Sequence, residues 1–402
     1  MPPRGSDESL QRGAVVVGGD YQGLGIIRSL GRTGFPVCVL DDEPSIGRYS
    51  RYVTHAIRVQ NLREEEAIVN TLLDVGRRLN LKGWVVFATR DELVTSLSRA
   101  RDRLSEFFRV PTPAWDTVKY AADKRLTYEL AGRLGIPLPR TWYPRSADEL
   151  DAIDSPRWPM LIKPAIKEHF IYRTRVKGWI VRDRDELRKR FVDATTIVPA
   201  AEVMVQDMIP GNGRTQYSYC TFFKGGRSLA RMTVQRQRQQ PSDLGRSSTF
   251  VETVDRAELA EPSERFLREI DYYGLAELEY KLDEADGEYK LLDVNTRTWG
   301  YHSVGRVAGV DFPLLVHLDQ LGLNTPAAEA RPGVRWVRLI TDIPAAASDL
   351  VRRRLKLRDY VGSLRTVETE ASFARDDPRP ALAELMLLPH LIRTRLPQRR
   401  RP

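Results

Sequence analysis

The chain has 402 residues, 42% apolar and 29% charged, with a formal net charge of +9; that length suits two to three domains and the balance suits a soluble globular enzyme. No run of about 18 apolar residues is present, so no membrane span is expected. Residues 351–402 hold 13 Lys/Arg against 6 Asp/Glu, a surplus of +7 that leaves +2 for the first 350, so the body is nearly neutral and offers no general nucleic-acid surface.

Residues 1–13 are polar and lack an apolar h-region, so no secretory signal is expected. Residues 14–17 (Ala-Val-Val-Val) read as a short buried strand running into a glycine-rich turn, Gly18 to Gly25. A helix follows with apolar spacing at Leu24, Ile27 and Leu30, then a strand at Val37–Leu40 ending at Asp41-Asp42. This is a βαβ unit. Cys38 lies in that second strand; with Cys220 the only other cysteine and five scattered histidines, neither a disulfide framework nor a zinc pattern is expected, and a reduced cytoplasmic protein is. A helix over 63–80 and a strand over Trp84–Ala88 continue the alternation, and prolines 111 and 113 mark a boundary. One helix is then predicted to about Leu134, stopped by Gly135-Ile136-Pro137.

The strand Met160-Leu161-Ile162 leads into Lys163-Pro164, followed by a basic-aromatic loop (KEHFIYRTRVKG) and a strand and helix over 178–192. A strand at Glu202–Asp207 is halted by Pro210-Gly211. A β-rich stretch covers 216–236, ahead of the irregular QQPSDLGRSS, and an amphipathic helix near 261–272 precedes two strands over 274–300. After Gly322 the composition shifts to a Pro/Ala-rich linker and then to the basic region, RRRLKLR at 352–358 and RTRLPQRRR at 393–401.

Chemistry concentrates in the hairpin GLAELEYKLDEADGEYKLLDVNTRTWG. Side chains alternate along a strand, so Glu277 and Glu279 share a face of the first strand, as Asp293, Asn295 and Arg297 do of the second. A three-residue loop, Ala285-Asp286-Gly287, with Gly287 left-handed, sets Glu279 opposite Asp293; a two-residue turn sends them to opposite faces. In the first register, two carboxylates and an amide oxygen converge beside a guanidinium, a donor set suited to Mg²⁺ with phosphate. The plainer alternative is a solvated polar face. Lys163, emerging from an apolar strand, suits phosphate oxygens, whereas Lys124, early in a helix, on its own reads more readily as a solvated surface residue. Arg236 and Arg238 alternate onto one strand face, where they clamp an anion or simply charge an edge. The Gly18–Gly25 turn departs from the G-x-G-x-x-G pattern, so a structural turn or part of a substrate pocket is favoured over NAD binding.

Taken in order, these elements resemble the ATP-grasp superfamily, in its carboxylate–amine ligase or carbamoyl-phosphate-synthase-like branch, from about residue 14 to about 322. The carriers are Asp123-Lys124, Leu161-Ile162-Lys163-Pro164, Val205 to Gly211, Glu279 and Asp293-x-Asn295-x-Arg297. The resemblance implies an α/β chain with a Rossmann-like domain over 1–110 and a small lobe over 111–200. It further implies a large lobe with the metal site over 201–325, and a linker and basic region over 326–402. It assigns ATP phosphates to Lys124 and Lys163, with Lys177 as a further donor, and the adenine slot to Gln206, Asp207, Met208 and Ile209. Glu279, Asp293 and Asn295 would hold Mg²⁺ (or Mn²⁺). Arg297 would hold the transferring phosphoryl group, and Arg236, ahead of Arg238, would face the γ-phosphate or acyl phosphate.

Three departures stand out: Asp293 where many relatives have Glu, Gln206 where several have an acid, and a bulky 165–178 loop that is usually small. The implied activity is ADP-forming: a small carboxylate becomes an acyl phosphate and is joined to an amine, by a protein for which homo-oligomers are compatible. The alternative is a nucleotide-responsive binding protein whose basic tail docks on RNA or an anionic surface.

Overall fold

The computed structural model describes residues 12–155, 157–240 and 247–390. Strands β1 (Ala14–Val17), β2 (Val37–Asp41), β3 (His55–Arg58) and β4 (Val85–Ala88) form a parallel sheet in the order β3-β2-β1-β4. β1 and β4 are buried at every residue, as expected of parallel strands covered on both faces. Gly18 takes φ +95°, a conformation open to glycine. Asp20 caps the following helix, Tyr21–Arg32, by accepting from the N–H groups of Gln22 and Gly23, while Gly19 N–H donates to Asp41 Oδ2 at 2.6 Å. The N–H groups of Gly19, Gln22 and Gly23 are thus satisfied by the protein's own carboxylates, in keeping with a structural turn.

A small antiparallel sheet, ordered β5-β8-β6-β7, comprises β5 (Thr141–Trp142), β6 (Met160–Pro164), β7 (Trp179–Val181) and β8 (Val203–Asp207). It has its own core around Ile162, Phe170, Phe191 and Val205. β8, which the sequence places at the start of the large lobe, completes this small sheet. The predicted helix to Leu134 is two helices, Trp115–Ala122 and Lys124–Arg133, broken at the extended Asp123, whose carboxylate accepts from Arg125 N–H. Capping by Asp123 puts Lys124 at the first turn of a new helix. The predicted basic-aromatic loop contains a helix, Lys167–Thr174, stopped by Arg175 in the left-handed conformation.

The large sheet is built on β9 (Gln216–Lys224), β10 (Arg227–Gln240), β11 (Ser247–Val254), β12 (Gly274–Asp283) and β13 (Glu288–Asn295). The segment after Gly322, read from composition as linker and basic region, adds β14 (Ala328–Glu329), β15 (Arg335–Val337) and β16 (Thr369–Glu370) to that sheet. Helices Leu339–Val351, Leu357–Arg365 and Arg379–Met386 accompany them. Polar side chains tie this segment down: Arg238 makes a bidentate pair with the fully buried Asp342, 2.8 Å on each arm. The basic run at 393–401 lies outside the described residues, as does most of the irregular stretch, 241–246. Both Cys38 and Cys220 are buried free thiols, the first pushed up to about 12 by burial.

One face of β12 packs with the helix Ala260–Glu269 through Ala276, Leu278 and Tyr280. The opposite face meets the N-terminal sheet in a shared core that includes Val16, Phe87, Leu275, Trp299 and Trp336. That seam, together with the small sheet, encloses the site.

Candidate active site

Glu279 does stand opposite Asp293, and Glu277 opposite Asn295. The turn that achieves this differs from the one expected. Asp283 pairs with Glu288, leaving a four-residue loop, 284–287, with Gly287 at φ +75°. Alone, such a loop would displace Asp293 by one residue and turn it to the other face. A bulge at Leu292 restores the register, because Tyr280 pairs with Leu291 and Glu279 with Asp293. The carbonyl of the bulged Leu292 accepts from Tyr128 Oη at 2.9 Å, and that same phenol accepts from Lys163 Nζ at 2.9 Å. Helix spacing foreshadows Tyr128's presence, four residues after Lys124 on one face.

Lys124 Nζ bonds directly to Asp293 Oδ1. Burial works against ionisation of Asp293, but Lys124 and Lys167 outweigh it and hold the carboxyl below its usual range. For Glu279 burial is likewise offset, chiefly by Arg236, whose Nη2 lies 3.2 Å from Oε2. Asn295 Nδ2 donates to Glu277 Oε2 and Glu279 Oε1, both at 3.0 Å, so one amide knits the two acidic rungs together. Glu277 is pushed up to about 7 by burial and by Glu279, and it accepts from Tyr301 Oη.

Arg236 and Arg238 do not share a face. Pairing of Arg236 with Val251 and of Arg238 with Phe250 leaves Gln237 as a bulge. Arg236 therefore turns to Glu279, Gln216 and Gln239. Arg238 turns to Asp342 and lies 4.2 Å from the ring centroid of Phe250. The two-arginine clamp is corrected to one arginine at the site and one holding the C-terminal segment.

Two residues that sequence reasoning passed over complete the arrangement. Arg297 donates to Asp91 through Nε at 2.6 Å and Nη2 at 3.1 Å, and Lys167 Nζ bonds the same carboxylate. Asp91 starts the helix after β4, outside the carboxyl end of a parallel strand, where open α/β sheets place ligand groups; that position is the one available signal. Lys167 belongs to the segment read as a loop and carries none. Tyr172 Oη, from the same helix as Lys167, donates to Glu92 Oε1 at 2.6 Å, so this bulky segment rests on the N-terminal sheet's edge of the site.

Gln206 is buried and donates to Thr141 Oγ1 at 2.7 Å. Asp207 accepts from Ser155 Oγ at 2.6 Å. The carbonyl of Ile209, just beyond Met208, accepts from Lys281 Nζ at 2.8 Å, tying the stretch after β8 to β12. Lys163 is pushed down to about 7 by burial and by neighbouring Lys124, and Lys177 to about 8, chiefly by burial.

Six cations (Lys124, Lys163, Lys167, Lys177, Arg236, Arg297) thus face five acids (Asp91, Glu168, Glu277, Glu279, Asp293). Lys163 has a phenol rather than a carboxylate for a partner. Such a surplus fits a polyanion, and the oxygen donors fit a hard divalent cation. Among the described residues no three His, Cys, Asp or Glu side chains gather as a metal cage. Mg²⁺ bound through one or two carboxylates, with phosphate oxygens and water completing its shell, asks for none.

Residues 200–342 match the family model described as ATP-grasp in the biosynthetic pathway with Ter operon. A D-aspartate ligase of Enterococcus faecium (strain Aus0004) is 22% identical over 334 residues, 79% of this chain and 79% of the relative. Over residues 200–342 the chain is similar to the ATP-grasp family. Among solved structures, the L-amino acid ligase from Bacillus licheniformis superposes on this chain with TM-score 0.60 at 16% identity, covering 77% of this chain and 74% of that one. The biotin carboxylase domain of the Hydrogenobacter thermophilus 2-oxoglutarate carboxylase, solved with MgADP and bicarbonate, gives TM-score 0.64 at 15% identity, covering 80% and 73%. No helix among the described residues is long and apolar enough to cross a membrane.

Proposed function

We propose that this chain is an ADP-forming carboxylate–amine ligase. ATP activates a small carboxylate as its acyl phosphate, and an amine then displaces the phosphate to form an amide or peptide-like bond. The observation that carries this reading is the Glu279–Asp293 pair with Lys124 on one of its carboxylates, enclosed between a small lobe and a large sheet. The relatives named as amino-acid ligases support it at the level of reaction class.

Glu279, Asp293 and Asn295 would hold Mg²⁺ (or Mn²⁺), sharing these oxygens with Lys124 and Arg236. When bound, the metal supplies charge neutralisation on phosphate oxygens. Lys124, Lys163 and Lys177 take the phosphates, while Gln206, Asp207, Met208 and Ile209 border the base. Arg297 and Arg236 stabilise charge on the phosphoryl group in transfer, the kind of electrostatic positioning on which such reactions depend. Packing of the Lys167–Thr174 helix against Glu92 helps keep water from the acyl phosphate.

An ADP-release screen of pooled amino acids and small carboxylic acids with Mg-ATP tests the assignment. Release is expected with a defined acid–amine pair and lost in Lys163→Ala; full turnover by that variant argues against it. A calorimetric consequence also follows. At pH 8 the free protein holds Lys163 largely neutral and Lys177 about half charged, given values of about 7 and about 8. Phosphate oxygens favour the charged amines and raise both values, so nucleotide binding takes up about 1.4 protons at pH 8 and about 0.1 at pH 6. Titrations in buffers of different ionisation enthalpy measure this; proton release at pH 8 contradicts the assignment of these lysines.

A further inference from the structure

The site's face changes character beyond its acidic rungs. One strand repeat along from Glu277 the side chain is Leu275, and two residues on from Asn295 it is Arg297. Here, between the large sheet and the N-terminal sheet, a cavity of about 370 Å³, counting the part open to solvent, is lined by Phe87, Val94, Leu275, Val316, Arg297 and Thr298 among others. Its walls are mostly apolar. At the same end, Arg297 and Lys167 share the carboxylate of Asp91, with Glu168 3.6 Å from Lys167, so two cations border the cavity.

We propose that this cavity receives the side chain of the acid being activated, and that the acid carries a small aliphatic side chain, its carboxylate held beside Arg297 and Lys167. The inference rests on the ligase reading and narrows it to a substrate class. The Arg297 guanidinium and the Lys167 ammonium draw the carboxylate, and the adjacent Glu277 and Asn295 rung leads from it to the phosphate end of the site. A second carboxylate, as in aspartate, would lose its water against Phe87, Leu275 and Val316 without compensation. An aliphatic group gains from the same walls.

Steady-state ADP release with Mg-ATP, pooled amines and, in turn, racemic alanine, valine, leucine and aspartate decides the matter. Wild-type kcat/KM for the best aliphatic acid is expected to exceed that for aspartate by about tenfold or more. Leu275→Ala and Val316→Ala enlarge the cavity, and each is expected to raise the leucine-to-alanine ratio of kcat/KM by about tenfold. A ratio is unaffected by the fraction of a variant that folds. Preference of the wild type for aspartate, or ratios unmoved in both variants, overturns the inference and leaves the ligase reading standing. Release with no acid at all overturns both.

Discussion

Asp293→Ala is expected to lower acid-dependent ADP release by about 10²–10³-fold, the range seen when one preorganised charge-stabilising group is removed from an active site. Three functions are lost together. The pair with Glu279 becomes a single carboxylate, Lys124 loses its hydrogen-bond partner, and the electrostatic balance around Lys167 and Lys177 shifts. Lys124 sits in the first turn of its helix, so without Asp293 its ammonium has no fixed direction toward the phosphates. Asp293→Glu separates charge from reach: the carboxylate remains but extends one methylene further toward Lys124. Partial recovery in that variant, with both variants folded by circular dichroism, locates the effect in the site. Undiminished turnover by Asp293→Ala would remove the metal-and-phosphate assignment of this hairpin.

The hairpin also shows where sequence reading succeeds and where it stops. Alternation places Glu277 with Glu279 and Asp293 with Asn295 on the right faces, because the period of two is a property of the backbone. Cross-strand register is not so constrained. The four-residue loop and the Leu292 bulge each shift it by one, and their sum equals the register of a three-residue loop without a bulge. Nothing in Lys290-Leu291-Leu292-Asp293 announces a bulge; its carbonyl is held by Tyr128, more than 160 residues away in sequence. The Gln237 bulge misleads in the other direction, sending Arg236 and Arg238 to opposite faces although their spacing suggests one. The N-terminal strands were easier, since runs such as Ala14–Val17 are apolar throughout and bounded by glycine. Asp91 stayed hidden because an acid at a helix start is ordinary on its own. Its significance comes from Arg297, 206 residues distant, and Lys167, 76 residues distant.

Asp377→Ala is expected to destabilise the protein by about 3–5 kcal/mol, the usual consequence of removing one partner from a buried ion pair. Composition assigns Asp377 to a basic C-terminal region, yet its side chain is fully buried against the N-terminal sheet's first helix. Oδ2 accepts from Arg28 Nε at 3.0 Å and from Ser50 Oγ at 2.7 Å, while Oδ1 accepts from Arg51 N–H at 2.9 Å. Arg28 also donates to the carbonyls of Asp377 and Ser372, at 2.7 and 2.8 Å, so the guanidinium remains enclosed when the carboxylate is removed. An uncompensated charge then sits where water cannot reach it, and burial already opposes that charge in the native chain. Thermal or urea unfolding measures the loss. The double replacement Arg28→Met with Asp377→Leu separates the two origins of the effect. It removes both charges and keeps apolar volume, so most of the stability returns if the unpaired cation is the cause. A double variant as unstable as Asp377→Ala would instead place the effect in the lost contacts to Ser50 and Arg51, which fasten the C-terminal segment to the loop after β2.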